Sequence, residues 1–140
     1  MAFVELDLSP DLESIAELAD AVDTFSEDQN LSDKVRFQLN LVLEELVTNI
    51  VSHADFGDNA GRIQILISLD ANVLQVCVSD NGAPFDPVTE PPEPDLDSTL
   101  EERRVGGLGI HLVKSFTQQV SYHRHGEKNE TRFVKHIGAS

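Results

Sequence analysis

The sequence predicts an α+β fold, a two-layer sandwich in which about three helices cover one face of a mixed, mostly antiparallel sheet. Two periodicities carry that expectation. Several short stretches alternate apolar and polar residues with period two, and others repeat apolar residues at helical spacing. The third observation is order: two pairs of strand patterns are each joined by turn residues, as in hairpins. No internal repeat is present, so residues 1–140 are expected to form a single domain.

Val4, Leu6 and Leu8 alternate with Glu5 and Asp7, which predicts a strand over 2–8. Ser9-Pro10 reads as a helix cap with proline at the first helical position. Leu12, Ile15, Ala16, Leu18, Ala19 and Val22 then carry a helix to about residue 25, followed by a polar loop over 26–30. Ser32 caps a longer helix reaching about residue 54, with Val35, Leu39, Val42, Leu43, Leu46, Val47, Ile50 and Val51 as its buried stripe. Turn-rich residues 55–61 precede strands over 62–69 and 73–78, joined through Asp70-Ala71-Asn72. Residues 81–105 hold five of the six prolines and no periodic pattern. A connection that long in a small domain is functional or disordered. A helix over about 110–116 follows, then strands near 119–124 and 131–136 around the turn Gly126-Glu127-Lys128-Asn129.

Composition narrows the function classes. A net charge of −15 argues against general binding of nucleic acid or anionic membrane. No apolar run approaches the roughly 18 residues of a membrane span. The first residues lack the basic start of a signal peptide. The single cysteine, Cys77, fits a reducing, cytoplasmic setting and reads as a small hydrophobe in its strand. Charge is uneven: residues 1–102 hold 3 Lys+Arg against 23 Asp+Glu, whereas residues 103–140 hold 7 against 2. The basic part begins at Arg103 and Arg104, which suits local attraction of a polyanion or, equally, two solvated faces.

Three segments carry chemistry. In the first, Glu45 and Asn49 lie four residues apart on one helix face, flanking the core-directed Leu46 and Ile50. An amide oxygen there is a hard ligand suited to Mg²⁺, and a carboxylate there can take a proton from a hydroxyl. The bland alternative is a solvated helix face. His53 continues the same stripe and is a candidate to line a pocket. In the second, the strand Val76-Cys77-Val78-Ser79 ends in Asp80-Asn81-Gly82. A strand-end carboxylate accepts well from an exocyclic amine such as that of adenine; the alternative is an ordinary Asp-Asn-Gly turn. In the third, Gly106-Gly107-Leu108-Gly109 opens a helix. Glycines let the backbone approach an anion, and the helix start offers free N–H groups and partial positive charge. His123 and His125 share a strand face but lack an evident third metal ligand, and His111 reads as a helix-surface residue.

The helix Glu-x-x-x-Asn, the strand Asp-x-Gly and the Gly-Gly-x-Gly helix start, in that order, resemble the three nucleotide boxes of the ATPase superfamily that includes gyrase, histidine kinases, heat-shock chaperones of the ninety-kilodalton class and mismatch-repair ATPases. Its nucleotide-binding domain is called the Bergerat fold. The resemblance covers nearly the whole chain. Within the superfamily the chain is most similar to the bacterial anti-sigma-factor serine kinases, through Leu43-Glu44-Glu45-Leu46-Val47-Thr48-Asn49 with His53, Asp80-Asn81-Gly82-Ala83-Pro84-Phe85-Asp86-Pro87, and Gly106-Gly107-Leu108-Gly109-Ile110-His111-Leu112-Val113.

That resemblance implies ATP and Mg²⁺ as cofactors, with Asn49 holding the metal between the phosphates and Glu45 as the base that activates a substrate serine. It implies that Asp80 accepts from the adenine amino group, that Gly82 shapes the turn under the base, and that Thr131 shares a water with the aspartate. Gly106, Gly107, Leu108 and Gly109 would meet the phosphates, with Arg104 beside them and residues 84–105 as a lid. Many superfamily members carry a second glycine two positions after Gly82; this chain has Pro84, which stiffens the start of that segment. The lid is acidic, with Glu90, Glu93, Asp95, Asp97, Glu101 and Glu102.

The function implied is an anti-sigma factor that is also an ATP-dependent serine/threonine kinase. It would phosphorylate a serine of a small STAS-type antagonist and thereby switch partners between antagonist and sigma factor, working as a homodimer. The alternative is a catalytically inactive ATP-binding switch module that holds an antagonist or a response-regulator phosphatase protein. A detached histidine-kinase domain would need a phospho-accepting helical hairpin, for which the chain has no room.

Overall fold

The computed structural model describes residues 1–86 and 109–137. Its elements run β1 (Ala2–Leu8), α1 (Glu13–Asp28), α2 (Asp33–His53), β2 (Ile63–Asp70), β3 (Val73–Asp80), α3 (Gly109–Phe116), β4 (Gln118–His125) and β5 (Lys128–His136). The strands form one sheet in the order β1-β2-β3-β5-β4. Every pairing is antiparallel, so the sheet is antiparallel throughout rather than mixed. The reason lies in the second hairpin: β4 arrives from α3 at the outer edge, and its tight turn inserts β5 between β4 and β3.

Period-two alternation gives the sheet one apolar face. Ile63, Ile65 and Ile67 on β2, Leu74, Val76 and Val78 on β3, and Phe133 on β5 are all buried. They pack with Leu18, Val22 and Phe25 of α1, Leu39, Val42, Leu43, Leu46 and Val47 of α2, and Val113 of α3 in one core. The opposite face is open, carrying Glu5, Gln64, Leu66, Gln75 and Arg132. Cys77 lies on this open face and is half-buried, because it alternates with the buried Val76 and Val78. The expectation that it packs as a small core hydrophobe is met only in part.

Helix ends follow local chemistry. α1 begins at Glu13, later than the Ser9-Pro10 start expected. Asp11 accepts from the Ser14 N–H at 3.0 Å, and the Ser14 hydroxyl donates to the Ser9 carbonyl at 2.6 Å. Ser9 to Leu12 is therefore a turn that leads into the helix, and Leu12 is exposed. α1 stops at Asn30, whose φ of 55° is the left-handed value that asparagine tolerates. The Leu31 N–H reaches back to Ser26 O and the Asn30 N–H to Glu27 O, the Schellman pattern. The expected Ser32 cap is present, its hydroxyl accepting from the Val35 N–H at 3.1 Å.

The β4–β5 turn differs from the sequence expectation in a way that matters. Only Gly126 and Glu127 form it, with Gly126 at φ 58°. Pairing starts at His125↔Lys128 and continues through Arg124↔Asn129. Asn129 is thus a strand residue rather than a turn residue. A two-residue turn with glycine at the positive-φ position suits the strand twist, so the strands close up to it.

Candidate functional site

Strand register brings the site together. β3 and β5 pair with Val76 opposite Phe133, Val78 opposite Thr131 and Asp80 opposite Asn129. The side chains that share the helix-facing surface with Val76 and Val78 therefore include Asp80, Thr131 and Asn129. All three are buried, at 8%, 7% and 4% exposure. Across from them α2 presents Asn49, 6% exposed, within its apolar stripe. A narrow cleft between sheet and helix is walled by Leu46, Ile50, Val78 and Phe85, floored by Ala54 and Ala83, and faced by the polar Asn49, Asp80, Asn129 and Thr131. The shallow hollow on the open face of the sheet contains none of these four polar groups.

Asp80 is held firmly. Its Oδ1 accepts from the Gly82 N–H at 2.9 Å and from Asn129 Nδ2 at 3.0 Å. Gly82 is required by close approach: a Cβ there would meet Asp80 Oδ1 at 2.9 Å and Ala54 Cβ at 3.3 Å. Beyond it the Ala83 N–H donates to Asp55 O at 2.7 Å, tying the end of β3 to the end of α2. Arg124 donates to Gly82 O at 2.7 Å and to Asn129 Oδ1 at 3.2 Å.

Asn49 contributes the most telling group. Its Oδ1 is buried and has no hydrogen-bond partner among the described residues. Buried side-chain oxygens are nearly always paired, because an orphaned acceptor costs about 1–3 kcal/mol. A hard cation or a ligand group in the cleft would satisfy it. No cluster of three or more His, Cys, Asp or Glu that could cage a metal occurs among the described residues. Mg²⁺ needs no such cage, because it keeps several waters and binds substrate phosphates beside one or two protein oxygens. The residues present therefore fit a magnesium–nucleotide complex.

Glu45 lies one helical turn before Asn49 and is half-buried. Burial, and then the neighbouring Glu44, raise its carboxyl above the ordinary value. A carboxylate with raised pKa is a better proton acceptor. Glu44 is exposed. His53, by contrast, is exposed at the end of α2, and the residue of that turn facing the cleft is Ala54. Gly109 is the first residue of α3, which packs against α2. Arg104, Gly106, Gly107, Leu108 and most of the expected lid, residues 87–105, lie outside the described residues.

Asn129 and its partners Tyr122 and Arg124 are the site residues that sequence reasoning missed. Placed in the turn, Asn129 looked like turn chemistry. Period-two spacing from Thr131 and Phe133 back to Asn129 was the signal that could have placed it on the inner face.

Comparison with known proteins agrees with this geometry. The family model described as histidine kinase-like ATPase domain matches residues 8–135. The serine/threonine-protein kinase BtrW of Bordetella bronchiseptica is 31% identical over 105 residues, covering 75% of this chain and 73% of that protein. The serine-protein kinase RsbW of Listeria monocytogenes is 35% identical over 85 residues, 59% of this chain and 54% of that protein, so the match spans about half of that relative. Among solved structures, the RsbU and RsbW domains of a Mycobacterium tuberculosis protein overlay with a TM-score of 0.71 over 98% of this chain and 33% of theirs, at 10% identity. The catalytic domain of the histidine kinase ThkA overlays with a TM-score of 0.52 over 98% of this chain and 99% of its own, at 17% identity. At those identities the overlays speak for the fold alone. The serine-kinase likeness read from the three motifs coincides with these named relatives. With its cleft, its orphaned amide and a match over nearly all its length, the chain belongs to the histidine kinase-like ATPase domain family.

Proposed function

We propose that the chain is an ATP-dependent serine/threonine protein kinase that acts as an anti-sigma factor, phosphorylating a serine of a small STAS-type antagonist. The observation that supports this most is the convergence of Asp80, Thr131 and the unpaired Asn49 amide oxygen in one cleft, with Glu45 one turn away on the same helix. In this reading the adenine ring enters between Ile50 and Phe85, and its exocyclic amine donates to Asp80. Thr131 stands beside that carboxylate as a further polar partner. Asn49 holds Mg²⁺, which would supply charge neutralisation on the phosphates when bound. Glu45 takes the proton from the attacking serine hydroxyl as its oxygen bonds to the γ-phosphorus and the bond to the ADP oxygen breaks. The glycine-fronted start of α3 and Arg104 serve the phosphates.

Phosphorylation adds about two negative charges to the antagonist and so can break its interface with the kinase. Exchange between antagonist and sigma factor follows from that, and the likeness to the anti-sigma-factor kinases implies a homodimeric working form. The BtrW and RsbW relatives, named as serine kinases, favour this branch over histidine phosphorylation.

The test is calorimetric titration of ATP with and without Mg²⁺, followed by transfer from labelled ATP to a candidate antagonist. Glu45→Gln is expected to keep ATP binding and lose transfer. Tight ATP binding with no transfer by the unsubstituted protein to any antagonist would instead identify a partner switch without catalysis.

A further inference from the structure

Asn129 is buried in the sheet directly opposite Asp80, and its side chain contacts six different groups. Nδ2 lies 3.0 Å from Asp80 Oδ1, 3.3 Å from Gly82 O and 2.9 Å from Ala83 O. Oδ1 accepts from the Phe85 N–H at 3.3 Å, from Arg124 at 3.2 Å and from the Tyr122 hydroxyl. The amide has only one sensible orientation. Turned over, its oxygen would face a carboxylate and two carbonyls, and its NH₂ would face two N–H donors, with only the Tyr122 hydroxyl able to accept. Arg124 and the Phe85 N–H therefore fix which way Asn129 points, the Tyr122 hydroxyl adds a further hold on it, and Asn129 in turn fixes Asp80.

The consequence falls on the carboxylate. Both hydrogen bonds of Asp80 fall on Oδ1, from Gly82 and from Asn129. Oδ2 receives none among the described residues, while Asp80 lines the cleft. A carboxylate held by two donors at one oxygen cannot turn about its terminal bond without breaking both. Its second oxygen stays presented as a pure acceptor. The same amide pins the Gly82 and Ala83 carbonyls and the Phe85 N–H, so it also sets the wall against which a flat ring would stack.

We infer that Asn129 is a positioning residue for base selection: it fixes the Asp80 carboxylate so that Oδ2 reads an exocyclic amine on the bound purine. The role rests on the nucleotide-binding reading above. It acts through Asp80 rather than by touching the ligand. A purine carrying a carbonyl in place of that amine would set oxygen against oxygen and be refused.

The test compares ATP with purine riboside triphosphate, which lacks only the amine, and with GTP, by calorimetry on the full chain with Mg²⁺. The unsubstituted protein is expected to favour ATP over the deaminated analogue by about tenfold or more, as a hydrogen bond to a charged acceptor would give. Asn129→Ala should weaken ATP and shrink that ratio to roughly threefold or less. Tyr122→Phe, which keeps Asn129 but removes one of the hydrogen bonds holding it, should shrink the ratio by a smaller amount. A residue that merely supports the fold would weaken both nucleotides equally, so an unchanged ratio in Asn129→Ala overturns the inference. If that variant does not fold, Tyr122→Phe decides: a smaller ratio supports the role, and an unchanged one overturns it. Failure of the unsubstituted protein to bind ATP is a separate result, and it would remove the nucleotide reading itself.

Discussion

Asn49 places a polar amide where helix spacing calls for a hydrophobe, and leaves its oxygen unpaired in a buried cleft. Replacing it should therefore separate stability from binding. Asn49→Leu, with the same number of side-chain heavy atoms, removes an orphan acceptor that costs about 1–3 kcal/mol. Its melting temperature is expected to hold or rise, while Mg²⁺-dependent ATP affinity falls roughly tenfold or more; a stabilised variant that still binds MgATP at full strength would contradict the assignment. Glu45 makes a second prediction through pH. Its folded pKa is raised by burial and by Glu44. The folded state thus prefers the protonated carboxyl, and a penalty is present above the folded pKa that fades as pH falls toward the unfolded value. Thermal scans should show Glu45→Gln more stable than the parent near neutrality, with the advantage gone in acid. Transfer rates of the parent should drop on acidification at a pH above that of an ordinary glutamate. Glu45, Asn49, Asp80 and Gly82 were all legible in the sequence, because their spacing on one helix face and at one strand end is a local property. Asn129 was not, because a shift of two residues in the turn decides whether it points into solvent or into the core.

α3 is an eight-residue helix, too short to stand alone in water. It is held by packing against α2 and by one buried lysine. Lys135 on β5 donates to the Phe116 carbonyl at the end of α3 at 2.7 Å and to Gln38 of α2 at 2.6 Å. The cation meets the negative end of the helix dipole, a favourable placement. Burial, and then Lys34, lower its pKa, so this charge is held in place at some cost. Lys135→Met should leave the Phe116 carbonyl without its partner and loosen α3. Hydrogen exchange should speed up by about tenfold or more for the α3 amides and stay near parental rates in β2 and β3. Uniform acceleration across the sheet would show instead that Lys135 supports the whole core. The helices themselves were legible from periodicity. Their starts were less so: Ser32 capped as expected, whereas Asp11 took over the role assigned to Ser9 because it reaches the Ser14 N–H.

The core joins both layers, with Phe133, Ile65 and Leu43 among its fully buried side chains. Phe133 sits opposite Val76, two residues from Thr131, so it supports both sheet packing and the site. Phe133→Ala is expected to cost about 3–5 kcal/mol, measured by denaturant melts. Leu66→Ser on the open face should change stability by less than about 0.5 kcal/mol. Saturating MgATP should raise the melting temperature through linkage, by about 2.7 kcal/mol of added stability at a hundred times Kd. At the same MgATP concentration Asn49→Leu should lose about half of that gain or more even though it folds.

Period, spacing and residue chemistry dictated the α+β class, the elements and the three motifs, because each depends on neighbours within a few residues along the chain. The all-antiparallel strand order, the pairing of Asp80 with Asn129 and the orphaned oxygen of Asn49 came only from three-dimensional packing. Those features depend on which strands meet and in what register, and that is set by the shared burial of surfaces far apart in the chain.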